Sequence, residues 1–91
     1  MEHAETADLI GEEVVIDTAT SYIYVGTLKA WGDEVVVLES VDVHDTAEGR
    51  STKDLYALEA RRNGIQKNRR EARVMKRQVV GLSRLKDVIL Y

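Results

Sequence analysis

The residues with the most chemistry to offer are cations. Between Arg61 and Arg77 the chain carries Arg61, Arg62, Lys67, Arg69, Arg70, Arg73, Lys76 and Arg77 against a single acid, Glu71. Guanidinium and ammonium groups at this density attract phosphate backbones or an acidic protein surface. Trp31 adds an aromatic ring just before Gly32-Asp33, and such a ring can stack on any base, since every base has a π face. Other chemistries lack material. With no cysteine there are no disulfides, thiolate zinc sites or cysteine nucleophiles. Asp42, His44 and Asp45 put two metal ligands at most on one strand face, and a turn-initiating aspartate is the commoner use of such a run. Ser21, Ser40, Ser51 and Ser83 have no histidine at a recognisable motif spacing, and His3 lies near the N-terminus. The expectation is a binding protein without catalysis, metal or cofactor.

The net charge of −3 conceals an asymmetry. Residues 1–48 hold twelve acids against Lys29 alone, for −11, and residues 49–91 hold twelve bases against four acids, for +8. The basic block can therefore meet a nucleic acid, the acidic half of its own chain, that half of a neighbouring copy, or only solvent. A chain of 91 residues, 44% of them hydrophobic, supports one small core. Roughly 40% of the unfolded surface stays exposed at this size, so assembly is one way to gain burial. No apolar run approaches the roughly 20 residues of a membrane-spanning helix, and no membrane partner is expected. The acidic start, Met1-Glu2-His3-Ala4-Glu5, reads as neither a secretory nor a transit peptide. A cysteine-free chain suits a reducing interior, and the cytoplasm is the expected compartment.

The elements that must position these groups follow from the pattern. Thr6 to Gly11 reads as one helical turn closed by glycine. Glu12 to Asp17 is a β-branched first strand. Tyr22 to Ala30 is a second, and Gly26 inside it marks a bulge or sharp bend. Trp31-Gly32-Asp33 is a tight connection. Glu34 to Val43 is a third strand, apolar on both faces in its middle and so central. Ser51-Thr52-Lys53-Asp54 opens a helix with Ser51 as its cap. Leu55, Leu58 and the stem of Arg62 line one face, broadened by Tyr56 and Ala60, and Asn63-Gly64 ends it. Ala72 to Ser83 reads as a long fourth strand whose alternation slips at Arg77-Gln78-Val79-Val80, marking a bend or bulge. Asp87 to Tyr91 is a last strand. The fold class is mostly β: a small, curved, five-stranded antiparallel barrel with a short N-terminal helix and a helix inserted between strands 3 and 4. An apolar C-terminal strand without proline or lysine is expected to be covered, most simply by another subunit.

These residues resemble the Sm/LSm-like family. Its first motif is similar to "LIGEEVVID" at Leu9–Asp17, "YVGTL" at Tyr24–Leu28 and "WGDEVVVLESV" at Trp31–Val41. Its second motif is similar to "VMKRQVVGLSRLKDVIL" at Val74–Leu90. The likeness covers about residues 8–45 and 71–91. On this reading the chain is one domain: residues 1–11 form the N-terminal turn, 12–45 strands 1–3, 46–70 a variable loop enlarged by a helix, and 71–91 strands 4–5. The resemblance implies an SH3-type Sm barrel. It also implies a homo-oligomeric ring of about five to seven subunits, in which the fourth strand of one subunit pairs with the fifth of the next. Val79, Leu82, Val88, Ile89 and Leu90 are the interface residues so implied.

The resemblance further implies single-stranded RNA as a partner, held at the pore-side turns by Lys76, Arg77, Trp31 and Asp33. Lys76-Arg77 stands where the family carries Arg-Gly, keeping the charge and losing the glycine. Asp33 stands near the family's turn aspartate. The base-reading Asn position falls on Glu34 or Val35, and valine cannot hydrogen-bond a base edge. Trp31 is either a stacking platform or a cap on the barrel end. Lys76 and Arg77 contact RNA, lie in solvent or make intersubunit ion pairs. Arg61, Arg62, Lys67, Arg69 and Arg70 form a second basic face or a solvated helix end. Two rivals stand beside the RNA-binding ring: a structural or adaptor ring that assembles other proteins, and a monomeric SH3-like barrel whose tail folds back on its own chain.

Overall fold

The computed structural model describes residues 4–49 and 51–90. A 3-10 turn, Ala4–Leu9, leads into five strands: β1 (Glu13–Thr18), β2 (Tyr22–Trp31), β3 (Val35–Asp45), β4 (Arg69–Met75) and β5 (Val79–Arg84). A helix, α1 (Lys53–Asn63), lies between β3 and β4. All strand pairs are antiparallel, in the order β4-β3-β2-β1-β5, so the expected fold class holds. β4 and β5 are the two outer strands and do not pair with each other.

The period-2 alternation of the strands sorts side chains onto two faces. Val14 and Ile16 on β1, Leu28 on β2, Val36, Leu38 and Val41 on β3, and Val74 on β4 fill the interior of the curved sheet. Val15, Ile23 and Val25 point the other way and are buried beneath α1 with Ala60 and Leu85. The inserted helix therefore packs on its own barrel.

Curvature comes from the bulge expected at Gly26. Thr27 pairs with Glu39 and Val25 with Asp42, so Gly26 lies opposite Ser40 and Val41. A Cβ on Gly26 would stand 3.0 Å from the Glu39 carbonyl oxygen, so the strands close up only because that atom is missing. Ser40 takes a left-handed conformation (φ 52°) across from it.

Four expectations are corrected. The long fourth strand is two strands: Lys76–Gln78 is a 3-10 turn that reverses the chain between β4 and β5. The slipped alternation marked a change of strand, not a bend within one. The last strand is accordingly Val79–Arg84, and the expected strand Asp87–Tyr91 is absent. Leu85–Asp87 is a 3-10 turn, residues 88–90 carry no strand pairing, and Tyr91 lies outside the described residues. The helix cap is Thr52, whose Oγ1 accepts the Leu55 N–H at 3.1 Å, in place of Ser51. The helix also turns a different face to the sheet. Leu55 is half exposed, while Tyr56, Ala57 and Ala60 face inward. Two alanines let the helix lie close on Ile23 and Val25 in a way the leucines would not.

Candidate nucleic-acid interface

The site is built where two turns meet. β2 and β3 are joined by a tight reversal: Trp31 pairs with Val36, and the Gly32 N–H donates to the Val35 carbonyl at 3.0 Å. A Cβ on Gly32 would lie 2.8 Å from that carbonyl oxygen, so the turn needs glycine there for close approach. Asp33 and Glu34 form its exposed tip. β4 arrives alongside through the Val35–Met75 pair, and the Lys76 N–H donates to the Glu34 carbonyl at 2.8 Å. At the far end of the same 3-10 turn the Gln78 carbonyl accepts the Ala19 N–H at 2.8 Å. The Lys76–Gln78 segment thus spans from the β2–β3 turn to the β1–β2 turn and is fixed at both ends.

The result brings together all four residues expected at the pore side. Lys76 Nζ stands 5.2 Å from the centroid of the Trp31 ring, a cation–π distance. Trp31 is half-buried and packs against the interior cluster. It therefore caps the barrel and offers a ring face at the same time. Asp33 lies exposed in the neighbouring turn, and Arg77 is exposed and has no ion-pair partner among the described residues. Of the two residues on which the resemblance sets the base-reading position, Glu34 is exposed at the turn tip and Val35 is half-buried and pairs with Met75.

The second basic group is divided. Arg61 turns toward the C-terminal 3-10 turn, where its Nε donates to the Lys86 carbonyl at 3.3 Å. Arg62 is exposed on α1. Lys67, Arg69 and Arg70 surround a notch of about 280 Å³ beside Ser40, at the start of β4. Of the expected interface residues, Val79 and Leu82 pack against the interior core and Val88 packs beneath α1. Ile89 and Leu90 are exposed. The tail therefore does fold partly onto its own chain, while the free strand edge belongs to β5.

A polar network unmarked in the sequence holds α1 down. Lys53 Nζ donates to Asp17 Oδ1 at 2.6 Å, the Thr18 carbonyl at 2.8 Å and the Thr20 carbonyl at 2.6 Å. All three of its protons are thus satisfied. Buried Asp42 accepts from the Tyr56 hydroxyl and, at 3.2 Å, from Asn68 Nδ2. Burial, and then the Asp42 carboxylate, push the Tyr56 hydroxyl well above the usual tyrosine range. His44 stacks on Tyr56 with ring centroids 4.1 Å apart. Asp45 is the turn-initiating aspartate: its Oδ1 accepts from Ser21 Oγ at 2.5 Å and the Ala47 N–H at 3.0 Å. Asp42, His44 and Asp45 are thus each engaged separately, and among the described residues no cluster of three such side chains could hold a metal.

No family model matches the sequence, and no curated protein does. Solved structures do match. A Pyrococcus abyssi Sm protein in complex with a uridine heptamer aligns with a TM-score of 0.57 at 13% identity, covering 85% of this chain and 87% of that one. The fold is Sm-like. A chain in the NatC complex bound to CoA aligns with a TM-score of 0.59 at 20% identity, over 90% of this chain and 86% of that one. A chain in the NatC complex bound to Gag peptide and CoA aligns at 0.52 and 18% identity, over 84% of each. These identities carry the fold alone.

Proposed function

We propose that this chain forms a homo-oligomeric Sm-like ring that binds single-stranded RNA, without catalysis, at the junction of the β2–β3 and β4–β5 turns. The observation that carries the reading is the placement of Lys76 over Trp31 with Arg77 beside it. A ring face and two cations in one place serve a base and its phosphates together. The similar Pyrococcus Sm protein, solved with a uridine heptamer, supports the choice of RNA. The two unpaired outer strands support assembly. Neither Glu34 nor Val35 supplies the paired donor and acceptor of the family's Asn, so stacking and charge dominate the proposed binding.

A second reading is an adaptor ring that assembles other proteins. It is favoured by the likeness to chains of the NatC complex, itself a protein assembly. Fluorescence anisotropy with uridine-rich, adenine-rich and mixed RNA oligonucleotides at two salt concentrations separates the two. RNA binding is expected to weaken with salt, by a log–log slope of about 0.7 per phosphate contact. It is also expected to drop in Lys76→Ala/Arg77→Ala. No binding at low salt would leave the adaptor reading.

A further inference from the structure

Asp42 is the one charged side chain buried among the described residues, at 5% exposure. Its carboxylate accepts from the Tyr56 hydroxyl and from Asn68 Nδ2, both neutral donors. Among the described residues it has no ion pair. A buried charge ordinarily has a partner of opposite sign, because neutral donors return only part of the hydration it gives up. The carboxylate is also held still. Asn68 is clipped to β3, donating to the Val43 carbonyl and accepting the Val43 N–H, each at 3.0 Å. Tyr56 is backed by the His44 ring.

A cavity of about 120 Å³ opens beside this carboxylate, where α1 and the connector after it pass over β3. Two acids, Asp42 and Glu59, line it, and no cation does. Glu59 is exposed and has no ion pair among the described residues. Asn63 and Gly64 bring the C-terminal end of α1 to the same cavity, and that end of a helix carries partial negative charge. Asn63 and Gln66 add amide oxygens as further acceptors. At roughly 30 Å³ of liquid per water, the space holds a few waters or one small cationic head group. The free acceptor sites say which head group fits. Tyr56 bonds Asp42 Oδ2 and Asn68 bonds Oδ1, so each oxygen keeps a lone pair. Two such sites side by side match the parallel N–H groups of a guanidinium, whereas an ammonium is a point charge with no such fork. A metal fits less well, since among the described residues no three acidic or histidine ligands come together.

We infer that the cavity over Asp42 takes a guanidinium group, the head of an arginine side chain on a partner polypeptide, with Glu59 and the carbonyl end of α1 at its remaining N–H groups. The site shares no residue with the two turns and does not rest on the RNA reading. The test is an NMR titration of the isotope-labelled full chain with N-acetyl-arginine methylamide, against sodium chloride at equal ionic strength. Saturable shifts are expected at the Asn68 side-chain amide and the Ala60 and Gly64 N–H groups, with a Kd on the order of 1 mM for so small a head group. Glu59→Gln leaves the network around Asp42 intact and should raise that constant about threefold. Asp42→Asn, checked for folding by circular dichroism, should abolish the shifts. N-acetyl-lysine methylamide should bind roughly tenfold or more weakly, because it cannot bridge both oxygens. Free arginine carries its own carboxylate toward Glu59 and should bind less tightly than the blocked form. A tighter hold on free arginine would overturn the polypeptide as the source of the group. Shifts no larger than salt produces, or a lysine derivative that binds as tightly as the arginine one, would overturn the site itself.

Discussion

The face beneath α1 and the junction of the two turns treat their cations in opposite ways. Beneath the helix, Lys53 is enclosed by three oxygens of the β1–β2 segment, and its charge is satisfied within the fold. At the turns, Lys76 rests on a ring face and Arg77 has no acid beside it among the described residues. A cation that already holds three acceptors fixes structure, whereas one that holds none can take a phosphate. The comparison explains why a basic sequence block resolves into different uses: Arg61 bonds a backbone carbonyl and Arg73 pairs with Glu71 at 2.7 Å, while Arg77 stays available.

Ile23→Ala should have the largest effect. It empties a fully enclosed site beneath α1 and should lower stability by about 2–5 kcal/mol in urea unfolding. RNA affinity of the protein that remains folded should not change, and a matching loss of affinity would break the division between the two regions. Tyr56→Phe removes one donor from buried Asp42 and should cost about 1–3 kcal/mol, again without effect on RNA. Trp31→Leu keeps an apolar cap on the barrel and removes the π face. The dissociation constant for RNA should rise about tenfold, within the 1–3 kcal/mol of one stacked base. The melting temperature should move less than in Ile23→Ala.

The smallest effect concerns acid. The Ser21 hydroxyl, and then the Ala47 N–H, hold the Asp45 carboxyl below its ordinary value of 3.8. A lowered carboxyl supplies stability that is complete above the ordinary value and is lost as pH falls through the lowered one. Asp45→Asn should therefore flatten the decline in melting temperature below about pH 4 and leave its slope at neutral pH unchanged.

β1, β2 and β3 were legible to within a residue or two because runs of β-branched residues mark them and Gly26 announces the bulge. The β4–β5 boundary was misplaced because Lys76-Arg77-Gln78 contains no glycine or proline to mark a reversal. That reversal is instead fixed by backbone bonds to Glu34 and Ala19, far away in sequence. The buried face of α1 was shifted because leucines outweigh alanines in any apolar count, while close packing on Ile23 and Val25 favours the small residues. The group around Lys76, Arg77, Trp31 and Asp33 was legible through family resemblance. The Asp42–Tyr56–Asn68 network was not, because it joins a strand, a helix and a loop that only the fold brings together.

The most direct test of the central claim is light-induced crosslinking of a bound uridine-rich oligonucleotide, followed by peptide mass spectrometry. The account predicts crosslinks at Trp31 and within Met75–Gln78. Crosslinks confined to α1 or to Lys67–Arg70, with none at the two turns, would contradict it.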